Sequence, residues 1–173
     1  MKIAITGHTK GIGKAIADLF HDHEIVGLSR SVGYDIKDVG KICQSVVDCD
    51  ILINNAYHSK YQTEILNMMY MLWKDQNKII INIGSTVTDY PRTEIEKDHE
   101  QWDYRDDKKS LQLLFRKLAK SNSVCRLGLV TPGSTDTDMV RHHNNPKLDP
   151  IEVAKAVELI VKNKNLKEIV LYV

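Results

Sequence analysis

The chain has 173 residues, 42% of them hydrophobic and 27% charged, enough apolar material for one well-buried core. Its formal net charge of +1 provides no basic footprint for nucleic acid and no long-range field to steer a charged partner. Cys43, Cys49 and Cys125 cannot all pair and lack Cys-x-x-Cys spacing, which argues against a disulfide framework or zinc site and fits a reducing compartment. No apolar stretch approaches membrane-spanning length, and the first residues form a strand rather than a charged leader, so a cytoplasmic single domain over residues 1–173 is expected.

The first element is a β-branched run, Ile3-Ala4-Ile5, that stops at Thr6-Gly7. Gly11-Ile12-Gly13 then opens a helical pattern in which Ile12, Ile16, Leu19 and Phe20 recur on one face. In such a strand, glycine turn and helix, Gly7 permits the tight turn. Gly11 removes the Cβ that would block a pyrophosphate, and Gly13 lets helix and strand approach closely. The free N–H groups at the helix start then favour phosphate.

The spacing Thr-Gly-x-x-x-Gly-Ile-Gly at Thr6, Gly7, Gly11, Ile12 and Gly13 resembles the short-chain dehydrogenase/reductase family. The resemblance implies a Rossmann-like, doubly wound parallel α/β sheet of about seven strands. It also implies a dinucleotide held by Thr6, Gly7, His8, Thr9, Lys10, Gly11, Ile12 and Gly13.

Glu24 to Ser29 reads as a second strand, and it ends at Arg30-Ser31 rather than at a carboxylate. A carboxylate there would bind a ribose 2′-hydroxyl, whereas a guanidinium suits a 2′-phosphate, so Arg30, with Lys10 nearby in the glycine turn, points to NADP over NAD. Tyr34-Asp35-Ile36 follows as a short extended piece. The resemblance gives Asp35 and Ile36 an adenine contact, while the residues alone also allow Asp35 to cap the next helix. Asp50 to Tyr57 is a buried strand delivering Asn54 and Asn55 to its carboxyl edge. It matches the family's Asn-Asn-Ala-Gly at Asn54, Asn55 and Ala56, with Tyr57 in place of the glycine.

The helical stretch Ile65 to Trp73 carries Asn67, near where the family places a catalytic asparagine; a structural asparagine is the alternative reading. Lys78 to Ser85 is another buried strand, and Ser85 falls on the family's catalytic serine. Tyr104 and Lys108 stand one helical turn apart on one face, with Leu111, Leu114, Phe115 and Leu118 continuing below as an apolar stripe. They match the family's Tyr-x-x-x-Lys, although Asp106 and Asp107 lie inside the motif where the family prefers small residues. Val124 to Thr131 forms a strand followed by Pro132-Gly133 and Thr137, which the resemblance places against the cofactor. Pro150 starts the last helix and Glu168 to Val173 the last strand.

The implied chemistry is hydride transfer between NADP(H) and a small carbonyl or alcohol substrate. Tyr104 is the expected general acid or base, Ser85 the ligand of the substrate oxygen, and Asn67 the residue ordering a relay water. Lys108 is expected to bind the nicotinamide ribose and to lower the tyrosine's ordinary pKa of about 10. The alternative is a non-catalytic NADP-binding sensor or scaffold, supported by Tyr57 and by the lack of the usual insertion after the Pro-Gly turn. The family commonly assembles through helices such as Tyr104 to Ala119, so a homodimer or homotetramer is expected. Arg141 to Pro146 is the candidate loop over the site, and the paired His142 and His143 lack a third ligand for a metal.

Overall fold

The computed structural model describes residues 1–91, 99–140 and 144–173, with residues 99–101 described by their backbone alone. Arg141, His142 and His143 lie outside the described residues. Six strands form one all-parallel sheet: β1 (Lys2–Thr6), β2 (Glu24–Leu28), β3 (Ile51–Asn54), β4 (Ile79–Ile83), β5 (Arg126–Pro132) and β6 (Glu168–Leu171). Their order is β2-β1-β3-β4-β5-β6, so the winding reverses between β1 and β3, the place where a doubly wound sheet opens a crevice at its carboxyl edge.

Among the described residues, five α-helices cover the two faces: α1 (Gly11–Leu19), α2 (Val39–Val46), α3 (Tyr61–Trp73), α4 (His99–Leu118) and α5 (Pro150–Lys162). The period-two alternation of a strand sends neighbouring residues to opposite faces. Ala4, Leu52, Ile80, Leu127 and Leu129 pack with α2, α3 and α4, around the fully buried Trp73 and the nearly buried Phe115. Ile3, Ile5, Ile51, Ile53, Ile81 and Val130 pack with Ile16 and Phe20 of the first helix and Val153, Val157 and Ile160 of the last. Both faces are covered, which is why the strands read as apolar runs rather than as alternating ones.

Among the described residues the sheet has six strands where about seven were expected, because Tyr34-Asp35-Ile36 leads into a turn. Gly33 takes φ +85° after the short 3-10 turn Arg30–Val32, and Asp35 Oδ1 accepts from Lys37 N at 2.9 Å. The cap of α2 is Asp38, whose side chain accepts from Lys41 N, and not Asp35. α3 begins four residues before the apolar pattern predicts, at Tyr61 rather than Ile65, and this earlier start determines which amide reaches the site. Asp149 caps the last helix through a reciprocal box with Glu152, and Pro150 occupies its first turn. No helix among the described residues is long and apolar enough to cross a membrane.

Candidate active site

The glycine turn lies at the carboxyl end of β1, beside the reversal point. Thr6 ties it to β3: its Oγ1 accepts from the backbone N–H groups of Asn55 and Ala56, both at 2.9 Å, while Asn55 Nδ2 donates to Thr6 O. Gly7 and Gly11 adopt φ +71° and +51°, a left-handed conformation that favours glycine. A Cβ on Gly11 would stand 2.8 Å from Thr137 Cγ2, so the loop after β5 lies directly over the turn. Lys10 spans the same gap, with Nζ 3.5 Å from Asp138 Oδ2.

Around this turn, Ile12 packs into the core, Thr9 and Lys10 are exposed, and the His8 ring lies against Gly27, where a Cβ would meet it at 2.3 Å. Arg30 and Ser31 are exposed at the end of β2, with Ser31 Oγ hydrogen-bonded to Ser29 Oγ. Asp35 is exposed in its turn, and Ile36 packs on the core. Pro132 ends β5, and Gly133 follows it, donating its N–H to Leu171 O. The structure thus brings Thr6, Gly7, Gly11, Asn55, Ala56 and Thr137 together.

The start of α1 fits an anionic group. Lys10 at the N-cap contributes no side-chain cap, and no acidic residue occupies the first turn. The helix-terminal N–H groups and the dipole therefore remain to favour negative charge.

A second group of residues lies at the same sheet edge, on the face covered by α3 and α4. The Ser85 hydroxyl faces that of Tyr104 and favours its ionised form. Ser85 Oγ also accepts from Val87 N at 3.3 Å, which fixes the short turn after β4. Lys108 Nζ lies 5.6 Å from the centroid of the Tyr104 ring and 5.4 Å from that of Tyr57. The two tyrosine rings meet edge to face at 4.7 Å, and Tyr57 donates its hydroxyl to Asp107 Oδ2 at 2.9 Å. A bulky ring thus covers the lysine at the position where Asn-Asn-Ala-Gly would end in glycine.

Asn67 does not join this group. It is exposed on α3, while Gln62, in the first turn of the same helix, is buried and accepts from Lys108 Nζ at 2.8 Å. The apolar pattern starts at Ile65, so sequence reading missed Gln62; a polar residue ahead of an apolar stripe resembles any helix-start residue. The available signal was the asparagine pair Asn54 and Asn82, in register on neighbouring strands, which calls for a polar partner above it.

Burial lowers the Lys108 ammonium from its ordinary 10.5 to about 7, with the Asp107 carboxylate opposing the shift. Burial also raises the Tyr104 hydroxyl above its ordinary value, with the Ser85 hydroxyl acting the other way. In this arrangement desolvation, rather than the neighbouring ammonium, sets the direction of the Tyr104 shift. Tyr57 is likewise raised, first by burial and then by its bond to Asp107.

The Lys108 shift has a consequence for stability. Between pH 7 and about 10 the unfolded chain carries a proton that the folded chain lacks, so stability rises with pH across that window and is flat below it, as far as this group is concerned. Cys43 and Cys125, raised by burial to about 11, act in the opposite sense only above pH 9. Urea unfolding from pH 7 to 8.5 should therefore show stability climbing by up to about 1.4 kcal/mol per pH unit. Lys108→Met should remove that slope; an unchanged slope would place the buried proton elsewhere.

With an all-parallel sheet wound both ways from the glycine turn and helices on both faces, this chain has the short-chain dehydrogenase/reductase fold. Among solved structures it is similar to a short chain dehydrogenase from Burkholderia cenocepacia in complex with NADP, at TM-score 0.82 and 17% identity over 99% of this chain and 88% of that one. It is also similar to the 3-alpha-hydroxysteroid dehydrogenase from Pseudomonas complexed with NADH, at TM-score 0.79 and 17% identity over 98% and 95% of the two chains. A 3-ketoacyl-(acyl-carrier-protein) reductase from Brucella melitensis complexed with NADH gives TM-score 0.80 and 16% identity over 98% and 95%. No protein-family model and no curated protein matches the chain by sequence.

Proposed function

We propose that the chain is an NADP(H)-dependent oxidoreductase of the short-chain dehydrogenase/reductase type, acting on a small carbonyl or alcohol. The observation that carries this reading is the placing of Lys108 Nζ 5.6 Å from the centroid of the Tyr104 ring, with the Ser85 hydroxyl facing that of Tyr104, at the sheet edge that also holds the glycine turn. A nicotinamide cofactor bound there supplies or accepts the hydride. Its pyrophosphate end would be held by the glycine turn, the N-terminus of α1 and Thr137, and its adenosine end by Arg30, Ser31 and Asp35-Ile36. Asn55, Ala56, Pro132, Gly133 and Lys108 would flank the nicotinamide end.

The chain's own part in the chemistry follows from the two hydroxyls. Ser85 donates to the substrate oxygen and fixes it beside Tyr104. Because burial keeps the Tyr104 proton on its oxygen throughout the neutral range, the phenol is suited to deliver that proton to an oxygen developing negative charge, which is the role of a general acid in carbonyl reduction. Exposed Met68, Met71 and Leu72 on α3 and Leu113 on the adjacent α4 support association of copies through these helices, as a homodimer or homotetramer.

The cofactor assignment is tested by fluorescence titration of the protein with NADPH and NADH. NADPH should bind more tightly, and more weakly as salt rises. Arg30→Ala should lower NADPH affinity by about 10-fold or more while leaving NADH unchanged, the scale of one charge-assisted hydrogen bond. Equal loss for both nucleotides would overturn the 2′-phosphate role of Arg30, and binding of neither would overturn the function.

One observation favours the second reading, a non-catalytic NADP sensor or scaffold. The Tyr57 ring, tied to Asp107, covers Lys108, which is only 3% exposed. NADPH binding without oxidation by any of a panel of aldehydes and ketones would decide for it.

A further inference from the structure

Behind Tyr104 a chain of buried amides crosses three strands. Asn82 Nδ2 donates to Gly128 O at 3.3 Å and Asn82 Oδ1 accepts from Asn54 Nδ2 at 2.9 Å. The second Asn54 N–H goes to the backbone carbonyl of Gln62 at 2.8 Å. Gln62 Nε2 spends both of its hydrogens on main-chain carbonyls, Asn54 O at 2.7 Å and Ile83 O at 3.0 Å. An amide whose two donors face two carbonyl oxygens cannot be reversed, because its oxygen would then meet an acceptor and its nitrogen would meet the ammonium. Gln62 Oε1 is therefore committed to Lys108 Nζ, at 2.8 Å.

We propose that Gln62 is the positioning residue of this site: its side-chain oxygen, together with the carbonyl of Ile83, holds the Lys108 ammonium in place beneath the rings of Tyr104 and Tyr57. The proposal rests on the oxidoreductase reading above, to which it adds a residue. The count of donors supports it. An ammonium has three hydrogens. Gln62 Oε1 takes one and Ile83 O, at 2.9 Å, another, so one remains on the side of the aromatic rings, where a ribose or a phenolate oxygen would be met. The two acceptors also offset part of the cost of burying the charge, since an ammonium without them would give up its proton. The other groups facing Nζ are the Tyr57 and Tyr104 rings and, through its charge, Asp107. Gln62 thus occupies the place in the site expected for Asn67, but acts by direct contact from its side chain.

The test follows Lys108 in the protein without nucleotide. Protein carrying 13C-labelled lysine is titrated from pH 5 to 10, and the Lys108 Cε signal is assigned by its loss in Lys108→Met. Gln62→Leu keeps the volume and removes the acceptor; it should make Lys108 release its proton at lower pH, by about 10-fold in proton affinity. Gln62→Glu places a carboxylate on the ammonium and should move the transition the opposite way by at least as much. Opposite displacements support the proposal, because a residue that merely fills space would move both variants in the same direction. Displacement of both in one direction, or of neither, overturns it. Should Gln62→Leu fail to fold, Gln62→Glu decides alone: a raised transition supports the proposal, and an unmoved one overturns it. A wild-type protein that binds no NADPH would overturn the oxidoreductase reading while leaving the Lys108 titration to be scored separately.

Discussion

Tyr104→Phe is expected to lower NADPH oxidation in the presence of a reducible carbonyl by about 10²–10⁴-fold, the usual contribution of a positioned proton donor. The removed atom is the hydroxyl that Ser85 faces, so the proton has no other route to a substrate oxygen held there. The phenyl ring keeps its edge-to-face packing on Tyr57 at 4.7 Å, and Ser85 keeps its bond from Val87 N, so folding should be little affected. NADPH affinity should also be unchanged to within a few-fold, because the glycine turn is built from Thr6, Asn55 and Thr137 and not from α4. Activity is to be read as kcat/KM at several pH values, and affinity by fluorescence. Because burial raises the Tyr104 hydroxyl, reduction by the wild type should show no loss from tyrosine ionisation until well above neutral pH. Turnover that survives the substitution would remove Tyr104 from the chemistry.

Gly13→Ala carries the largest expected effect on stability together with the loss of nucleotide binding. The new Cβ would lie 2.2 Å from Gly7 O and 2.8 Å from Asn55 Nδ2, the first of which is backbone and cannot rotate away. Either α1 is pushed off the turn or the turn opens, at a cost of about 3 kcal/mol by analogy with overpacked cores. Since the same N–H groups would hold the phosphates, NADPH binding should disappear with the stability. Gly40→Ala is the internal comparison. Gly40 lies in the first turn of α2, where, beyond its chain neighbours and the helix backbone, an added Cβ would meet only Asp38 Oδ1, at 3.9 Å, so helix propensity should stabilise the chain by about 0.5 kcal/mol. Urea unfolding of the two variants should therefore differ in sign; a stable Gly13→Ala that still bound NADPH would contradict the proposed phosphate cradle.

Tyr57 affects both experiments. At the end of Asn-Asn-Ala its ring covers Lys108 and its hydroxyl is tied to Asp107, inside the Tyr-x-x-x-Lys motif. The unusual tyrosine and the unusual aspartate, separate departures in the sequence, are partners in the fold.

The sequence by itself determined whatever depends on short-range pattern. Apolar β-branched runs ending in Thr6-Gly7, Asn54-Asn55 and Gly84-Ser85 identified buried parallel strands and the polar groups at their carboxyl edge. The 3.6-residue period put Tyr104 and Lys108 on one face of a helix, and Pro150 marked the start of another. Tertiary structure alone decided what depends on contacts across the chain. Nothing local distinguishes Asn67 from Gln62 on α3; the choice falls to Gln62 because the packing of α3 over β3 and β4 points the first turn at the Asn54 and Asn82 pair and leaves Asn67 in solvent. Tyr34 to Ile36 reads as extended in sequence, but Gly33 at φ +85° and the bond from Lys37 N to Asp35 Oδ1 turn it toward α2. The spacing of Tyr104 and Lys108 promised an ammonium lowering a phenol. The fold instead buries both groups, and desolvation raises the tyrosine and lowers the lysine, because the cost of a charge is set by its three-dimensional surroundings rather than by its neighbours in sequence.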